Sequence, residues 1–111
     1  MNNQFTNLFT ISPDAITYDA IVKIEENKYG CILVIDNNKV LGTISDGDIR
    51  KLLINHNMLT VPTRHVMNQN YTYVLEGKEN DAHEIFKKSF YIRLIPVISE
   101  DGEFKDIIKR V

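Results

Sequence analysis

Apolar positions along the chain follow two alternating rhythms. Ile16, Ala20, Ile21 and Ile24 recur at three- and four-residue steps, the spacing that gathers side chains on one helical face. Thr17 is placed to cap the start of this segment and Asn27 and Gly30 to close it, so a helix is predicted over about Thr17 to Asn27. "CILVI", residues 31–35, is a short unbroken apolar run of β-branched character, the mark of a strand buried on both faces. A turn at "DNNK" and a second strand, "VLGTI" at 40–44, complete a hairpin. Ile49, Leu52 and Leu53 then line one face of a second helix, Arg50, Lys51 and Asn55 the other, and Asn55 to Asn57 end it.

Residues 59–70 contain Pro62, many polar side chains and no period, and read as a connector. Beyond them the pattern returns. "YTYV" at 71–74 is strand-like; Tyr71 and Tyr73 have rings that could stack on a base, but alternation along a half-buried strand accounts for them more cheaply. Ala82, Ile85 and Phe86 mark the buried face of a helix over about Asn80 to Ser89. "LIPVI" at 94–98 repeats "ILVI", and "FKDII" at 104–108 repeats "VLGTI", with "SEDG" as the turn. Asp19 and Ala20 match Asp81 and Ala82 at an offset of 62, and Ile32 matches Ile95 at an offset of 63. The chain is therefore expected to be α+β, two half-domains of order strand, helix, strand, strand, helix, with the second half lacking its last helix. Units this small cannot bury their apolar faces alone, so two copies packed face to face make the core.

Composition narrows the function classes. At 111 residues and 12.8 kDa the chain has the size of one compact domain. A net charge of −2 and a pI near 5.9 offer no general attraction to nucleic acid or to an anionic membrane, so neither is expected as a partner, and any anion must be bound locally. Cys31 is the single cysteine, excluding an internal disulfide; with no long apolar stretch, a cytoplasmic setting is expected. His56, His65 and His83 are never three or four residues apart, so no metal site is expected. Neither a nucleophile–base pair nor a Gly-rich phosphate loop occurs, and the chain is not expected to be an enzyme or to require a cofactor. "KKSFYIR", residues 87–93, interleaves cations with aromatics as single-stranded RNA surfaces do. Lys87 and Lys88 fall on the outer helical face, however, and Phe90 and Tyr91 are expected to enter the core.

"GTISDGDIR", residues 42–50, joins the second strand to the second helix. Ser45 as N-cap with Asp48 three residues on fits a capping box, and Asp46 and Asp48 complement the positive end of the helix. Capping leaves two glycines unexplained. Gly42 weakens a strand unless something approaches its backbone, and Gly47 in a first helical turn gives up about 1 kcal/mol of propensity relative to Ala. Exposed N–H groups at a helix start suit a phosphate, the Ser45 hydroxyl can donate to a phosphate oxygen, and the Asp48 carboxylate can accept from both hydroxyls of a ribose. Asp46 opposes a phosphate, and Arg50, Lys51 and Arg93 are the cations available to offset it. Arg93, just ahead of "LIPVI", either reaches across the pseudo-twofold to the phosphate end or is a solvated charge at the strand edge; the residue order leaves both open.

The half-domain order, the repeat, the "IPVI" strand and the "GTISDGDIR" turn together resemble the CBS domain, found in tandem as a Bateman module. The resemblance covers nearly the whole chain, with repeat 1 at 1–62 and repeat 2 at 63–111. It implies a ribose-phosphate site of an adenine nucleotide at Gly42, Ser45 and Asp48, with Thr43, Asp46, Gly47, Arg50 and Arg93 around it. It also implies an apolar adenine end near Ile11, Ser12, Ile32, Leu33 and Val34, where main-chain groups read the base edge. Val66 and Met67 match the start of the second half in the family, where such residues can approach the base, and a buried core role is the favoured expectation for them. Aligning "VLGTIS" with "FKDIIK" sets Asp106 opposite Gly42 and Lys109 opposite Ser45, so the second half lacks the motif and one site is expected. "SDGDIRK" is most similar to CBS pairs attached to sugar nucleotidyltransferases of the mannose-1-phosphate guanylyltransferase type and to those of arabinose-5-phosphate isomerases. In the isomerases the pair follows the catalytic domain, whereas this chain starts at Met1, so an N-terminal module ahead of a nucleotidyltransferase matches better. The implied function is regulatory: AMP, ADP or ATP in the cleft shifts an attached catalytic domain, with guanine or cytidine nucleotides and nucleotide sugars left open. The alternatives are a structural or dimerisation module that binds nothing, pairing as a homodimer through helical faces, and a fragment that adds surface to a catalytic site supplied elsewhere.

Overall fold

The computed structural model describes residues 7–56 and 58–111. The first half runs β1 (Thr10–Ile11), α1 (Thr17–Asn27), β2 (Cys31–Asp36), β3 (Lys39–Ser45) and α2 (Asp46–Asn55). After a 3-10 turn at Thr63–His65, the second half runs β4 (Val74–Leu75), α3 (Asp81–Lys88), β5 (Leu94–Ile98) and β6 (Phe104–Lys109). The class is α+β, and α2 has no counterpart after β6 in the 111 residues. No helix among the described residues is long and apolar enough to cross a membrane.

The halves form two three-stranded sheets, β1-β2-β3 and β4-β5-β6, each with a short strand parallel to the centre and a hairpin antiparallel to it. Their registers agree. Ile32 faces Ile44 and Ile95 faces Ile108, and both ladders slip at equivalent places, between Val34 and Ile35 and between Val97 and Ile98. The same register sets Gly42 at the place of Asp106 and Ser45 at that of Lys109, the equivalence expected from the sequence. The first hairpin closes on Asn37 and Asn38, whose φ angles of 51° and 63° are those of a turn matched to the strand twist and tolerated by asparagine.

Three apolar clusters follow from this arrangement. Ala20, Ile24, Ile32, Val34, Ile44 and Ile49 fill the first half between sheet and helices, and Val74, Ala82, Ile95 and Val97 fill the second. Leu33 and Val40 of one sheet, with Phe9 just before β1, meet Leu94, Ile98 and Phe104 of the other in the third. The hairpin tips then bond directly: Phe104 N–H donates to the Asn38 carbonyl at 2.7 Å and Val40 N–H to the Gly102 carbonyl at 3.1 Å.

Several local expectations are corrected. Thr17 does not cap α1; Ile16 holds that position, and the completely buried Thr17 hydroxyl donates to the Val61 carbonyl at 2.7 Å. The first amides of α1 are instead satisfied by the connector, Thr17 N–H donating to Val61 and Tyr18 N–H to Leu59. That connector is tightly held: Thr63 donates its hydroxyl to Ser12 at 2.7 Å, and Asn68 exchanges two backbone bonds with Thr43. "YTYV" supplies strand only at Val74, because β4 pairs just two residues with β5 and Tyr71 turns its hydroxyl to the Val40 carbonyl of the first half. Leu53 is exposed beside the buried Ile49 and Leu52, and α2 ends at Asn55 with His56 as its cap; the expected end at Asn57 lies outside the described residues. Phe90 and Tyr91 do not enter the core. They are 84% and 83% exposed, because α3 ends at Lys88 and a turn closed by Ile92 N–H on Ser89 lifts both to the surface while Ile92 packs inward.

Gly42 has a structural cause. A Cβ there would stand 2.8 Å from the Asn68 carbonyl oxygen and 3.0 Å from Met67 Cγ, so the chain itself, not a ligand, occupies the space. Gly42→Ala is expected to lower stability by about 1–3 kcal/mol. Gly47→Ala, whose Cβ would meet nothing nearer than 3.6 Å, should be neutral or gain up to about 1 kcal/mol of helix propensity. Urea unfolding midpoints of the two variants check this, and the reverse order would refute it.

Candidate functional site

A cleft of about 280 Å³ opens between the halves. Its first-half wall comes from the α1–β2 connection (Tyr29, Gly30, Cys31) and the β3–α2 junction (Thr43, Ser45, Asp48). Its other wall comes from the connector (Asn68, Asn70, Tyr71, Thr72) and the α3–β5 corner (Tyr91, Ile92, Arg93, Leu94). The volume lies just under the range of small-molecule sites, which run from roughly 300 to 1,000 Å³. Asp48 and Arg93 are the charged side chains of the lining, one from each half.

The capping box is formed in full. Asp48 Oδ2 accepts from Ser45 N–H at 2.9 Å and from the Ser45 hydroxyl at 3.0 Å, and Asp48 N–H donates to Ser45 Oγ at 3.3 Å. The Ser45 hydroxyl proton is therefore engaged within the turn and not directed at a phosphate. Asp46 N–H donates to the Gly30 carbonyl at 3.2 Å, so two of the first three amides of α2 are taken. The expectation of bare helix amides gives way to a preset carboxylate. Both of its bonds run to Oδ2, and a carboxylate has lone pairs for about four.

Opposite it, the Arg93 guanidinium lies 5.4 Å from the centre of the Tyr29 ring. Tyr29 itself meets Phe9 edge-on at 5.8 Å, and Lys109 Nζ is 5.7 Å from its centre. Tyr71 is fixed by its bond to Val40, and burial followed by the neighbouring Tyr73 raises its pKa above the usual tyrosine value. Cys31 also lines the cleft. Desolvation, then the negative charge of Asp48, pushes its thiol up to about 12. Among the described residues, no three His, Cys, Asp or Glu side chains gather as metal ligands.

Of the residues singled out in the sequence, Thr43, Ser45, Asp48 and Arg93 meet at the cleft. Asp46, Gly47 and Arg50 belong to the same turn but stand outside the lining, with Arg50 Nη2 3.8 Å from where a Gly47 Cβ would be. Gly42 lies buried under Met67 and Asn68. Ile32, Leu33 and Val34 are completely buried in the central strand, so their side chains cannot reach the cleft. Ile11 and Ser12 border a separate groove along α1. Tyr29, Cys31 and Tyr91 were not singled out for the site, and Tyr71, whose ring could stack on a base, was assigned to strand alternation instead. The repeat carried a signal for part of this wall, since the offset that equates Ile32 with Ile95 also equates Gly30 and Cys31 with Arg93 and Leu94.

Residues 4–55 match the family model of the CBS domain. An uncharacterised protein of Helicobacter pylori is 40% identical over 63 residues, covering 56% of this chain and 19% of that protein. Arabinose 5-phosphate isomerase GutQ of Salmonella typhi is 30% identical over 92 residues, covering 81% of this chain and 28% of the isomerase. The chain thus spans less than a third of the length of these relatives. Among solved structures, CBSX2 in complex with AMP is 27% identical with a TM-score of 0.73, covering 94% of this chain and 82% of that one.

The raised Cys31 pKa sets a test of the cleft. The folded state holds the thiol proton more tightly than the unfolded chain, so this contribution is intact below pH 9.0 and lost as pH rises toward about 12. At pH 8, alkylation of native Cys31 by iodoacetamide should be at least about tenfold slower than in urea, because the thiolate is the nucleophile. Equal rates would refute the assigned environment.

Proposed function

We propose that this chain, whose residues 4–55 match the family model of the CBS domain, is a regulatory nucleotide-binding module whose cleft takes an adenine nucleotide, AMP foremost. The observation that carries this reading is the convergence of the Asp48 carboxylate and the Arg93 guanidinium on one cleft between the halves. The ribose hydroxyls donate to Asp48, held in place by Ser45, and the phosphate pairs with Arg93. Tyr71 and Tyr91 are the aromatic walls for the base. A lining that carries one guanidinium, Arg93, and one carboxylate, Asp48, suits a monophosphate better than a triphosphate. The AMP bound to CBSX2 supports the ligand class.

Control requires that the nucleotide bind two arrangements of the protein with different affinity. A ligand held by one residue from each half meets that condition when the halves shift. The attached catalytic domain in this reading is a sugar nucleotidyltransferase, and the match to GutQ favours a sugar-phosphate isomerase as the second reading. Homodimerisation through helical faces draws support from Tyr18 and Val22 on α1 and Leu53 and Ile54 on α2, all exposed. A structural module without ligand is the competing role.

Calorimetry separates the two roles. AMP should bind in the micromolar range, about −8 kcal/mol, and ahead of ATP. Arg93→Ala should weaken AMP by about tenfold or more while leaving adenosine little changed. Asp48→Asn should weaken both. Silence at millimolar AMP would establish the scaffold reading instead.

A further inference from the structure

Outside the cleft lining, the Arg110 side chain is heavily engaged. Its Nη2 donates to the carbonyls of Phe86, Ser89 and Ile92 at 2.9, 2.7 and 2.7 Å, and its Nε donates to Ile92 at 3.0 Å. The guanidinium also lies 4.8 Å from the centre of the Phe86 ring. Phe86 belongs to the last turn of α3 and Ser89 is its C-cap, where carbonyls lack helical partners and a cation is favoured by the helix dipole. Meanwhile Arg110 N–H donates to the Arg93 carbonyl at 2.9 Å. One residue therefore holds both ends of the α3–β5 corner that carries Tyr91, Ile92 and Arg93 into the cleft.

The internal repeat shows what is particular to this half. Asp46 N–H donates to the Gly30 carbonyl as Arg110 N–H does to Arg93, so Arg110 occupies the place of Asp46. In the first half the corresponding corner is closed by Asn27, whose amide donates to Leu8 and Cys31 and whose oxygen accepts from Tyr29 N–H. α3 ends at Lys88 with no such buried asparagine, and the guanidinium supplies the missing donors from the end of β6.

We infer that Arg110 is the positioning residue of the cleft: by closing the α3–β5 corner it sets the guanidinium of Arg93 over Tyr29 and toward the bound phosphate. This rests on the nucleotide reading for its consequence in binding, but not for its geometry. A lysine at this place would keep one donor nitrogen but lose the second, the Nε that also holds the Ile92 carbonyl, and the planar cation that lies over the Phe86 ring. Because binding coupling is reciprocal, a phosphate on Arg93 tightens the hold on Arg110 and so reaches the end of β6.

The test uses the full 111-residue chain with Arg93→Ala, Arg110→Lys and the double variant. By NMR, Arg93 side-chain protons, shifted upfield by the Tyr29 ring, should move toward exposed-arginine positions in Arg110→Lys while amide shifts of β2 and β3 stay unchanged. In AMP titrations, Arg110→Lys should weaken binding about tenfold, leave adenosine unaffected, and add less than about twofold once Arg93 is already alanine, as coupled residues do. Unmoved Arg93 resonances, or equal losses for AMP and adenosine, would overturn the inference. Silence of the unsubstituted chain toward AMP, with the Arg93 resonances moving as expected, would sink the nucleotide reading alone.

Discussion

Everything in this molecule depends on the contact between its two sheets. Each half has three strands, of which the first pairs only two residues, and a unit that small cannot keep both of its faces dry. Leu33 and Val40 on one side, with Leu94, Ile98 and Phe104 on the other, convert two marginal sheets into one core. The bonds between the hairpin tips, through Asn38 and Gly102, then fix how the sheets are rotated against each other. The cleft is a by-product of that packing. Where the sheets diverge beyond the shared core, the β3–α2 junction of one half faces the α3–β5 corner of the other.

A site made in this way is divided between its parents. Asp48 arrives on a helix start that its own capping box stabilises, and Arg93 arrives on a corner clamped from the far end of the chain. The capping role and the binding role of Asp48 do not compete, since Ser45 uses one carboxylate oxygen. The cap instead removes the freedom that a free aspartate would lose on meeting a ribose, which is the sense in which a structural motif can prepare a functional one. The two glycines of the turn differ. Gly42 makes way for Met67 and Asn68, while a Cβ at Gly47 would make only ordinary contacts, with Ser45 Oγ at 3.6 Å and Arg50 Nη2 at 3.8 Å.

Much of this was legible in the residue order. Period alone located α1 over Thr17–Asn27, β5 over Leu94–Ile98 and the paired hairpins, because each of these elements buries its own contiguous pattern. Self-similarity gave the two halves and their register, down to Lys109 at the place of Ser45. The capping box was equally local, its partners lying three residues apart.

What the residue order left undecided were the features that need a second segment of chain. The cap of α1 comes from Leu59 and Val61, the occupant above Gly42 from Met67 and Asn68, and the donors at the end of α3 from Arg110. Phe90 and Tyr91 carry an apolar signal that pointed inward, and a turn set by the end of α3 placed them outward. The sequence by itself determined which residues form each half and that two such halves must pair, since periodicity and apolar content are properties of neighbours along the chain. Only the tertiary structure decided which side chains face the cleft, because that follows from the angle at which the two sheets meet, a quantity no local pattern encodes.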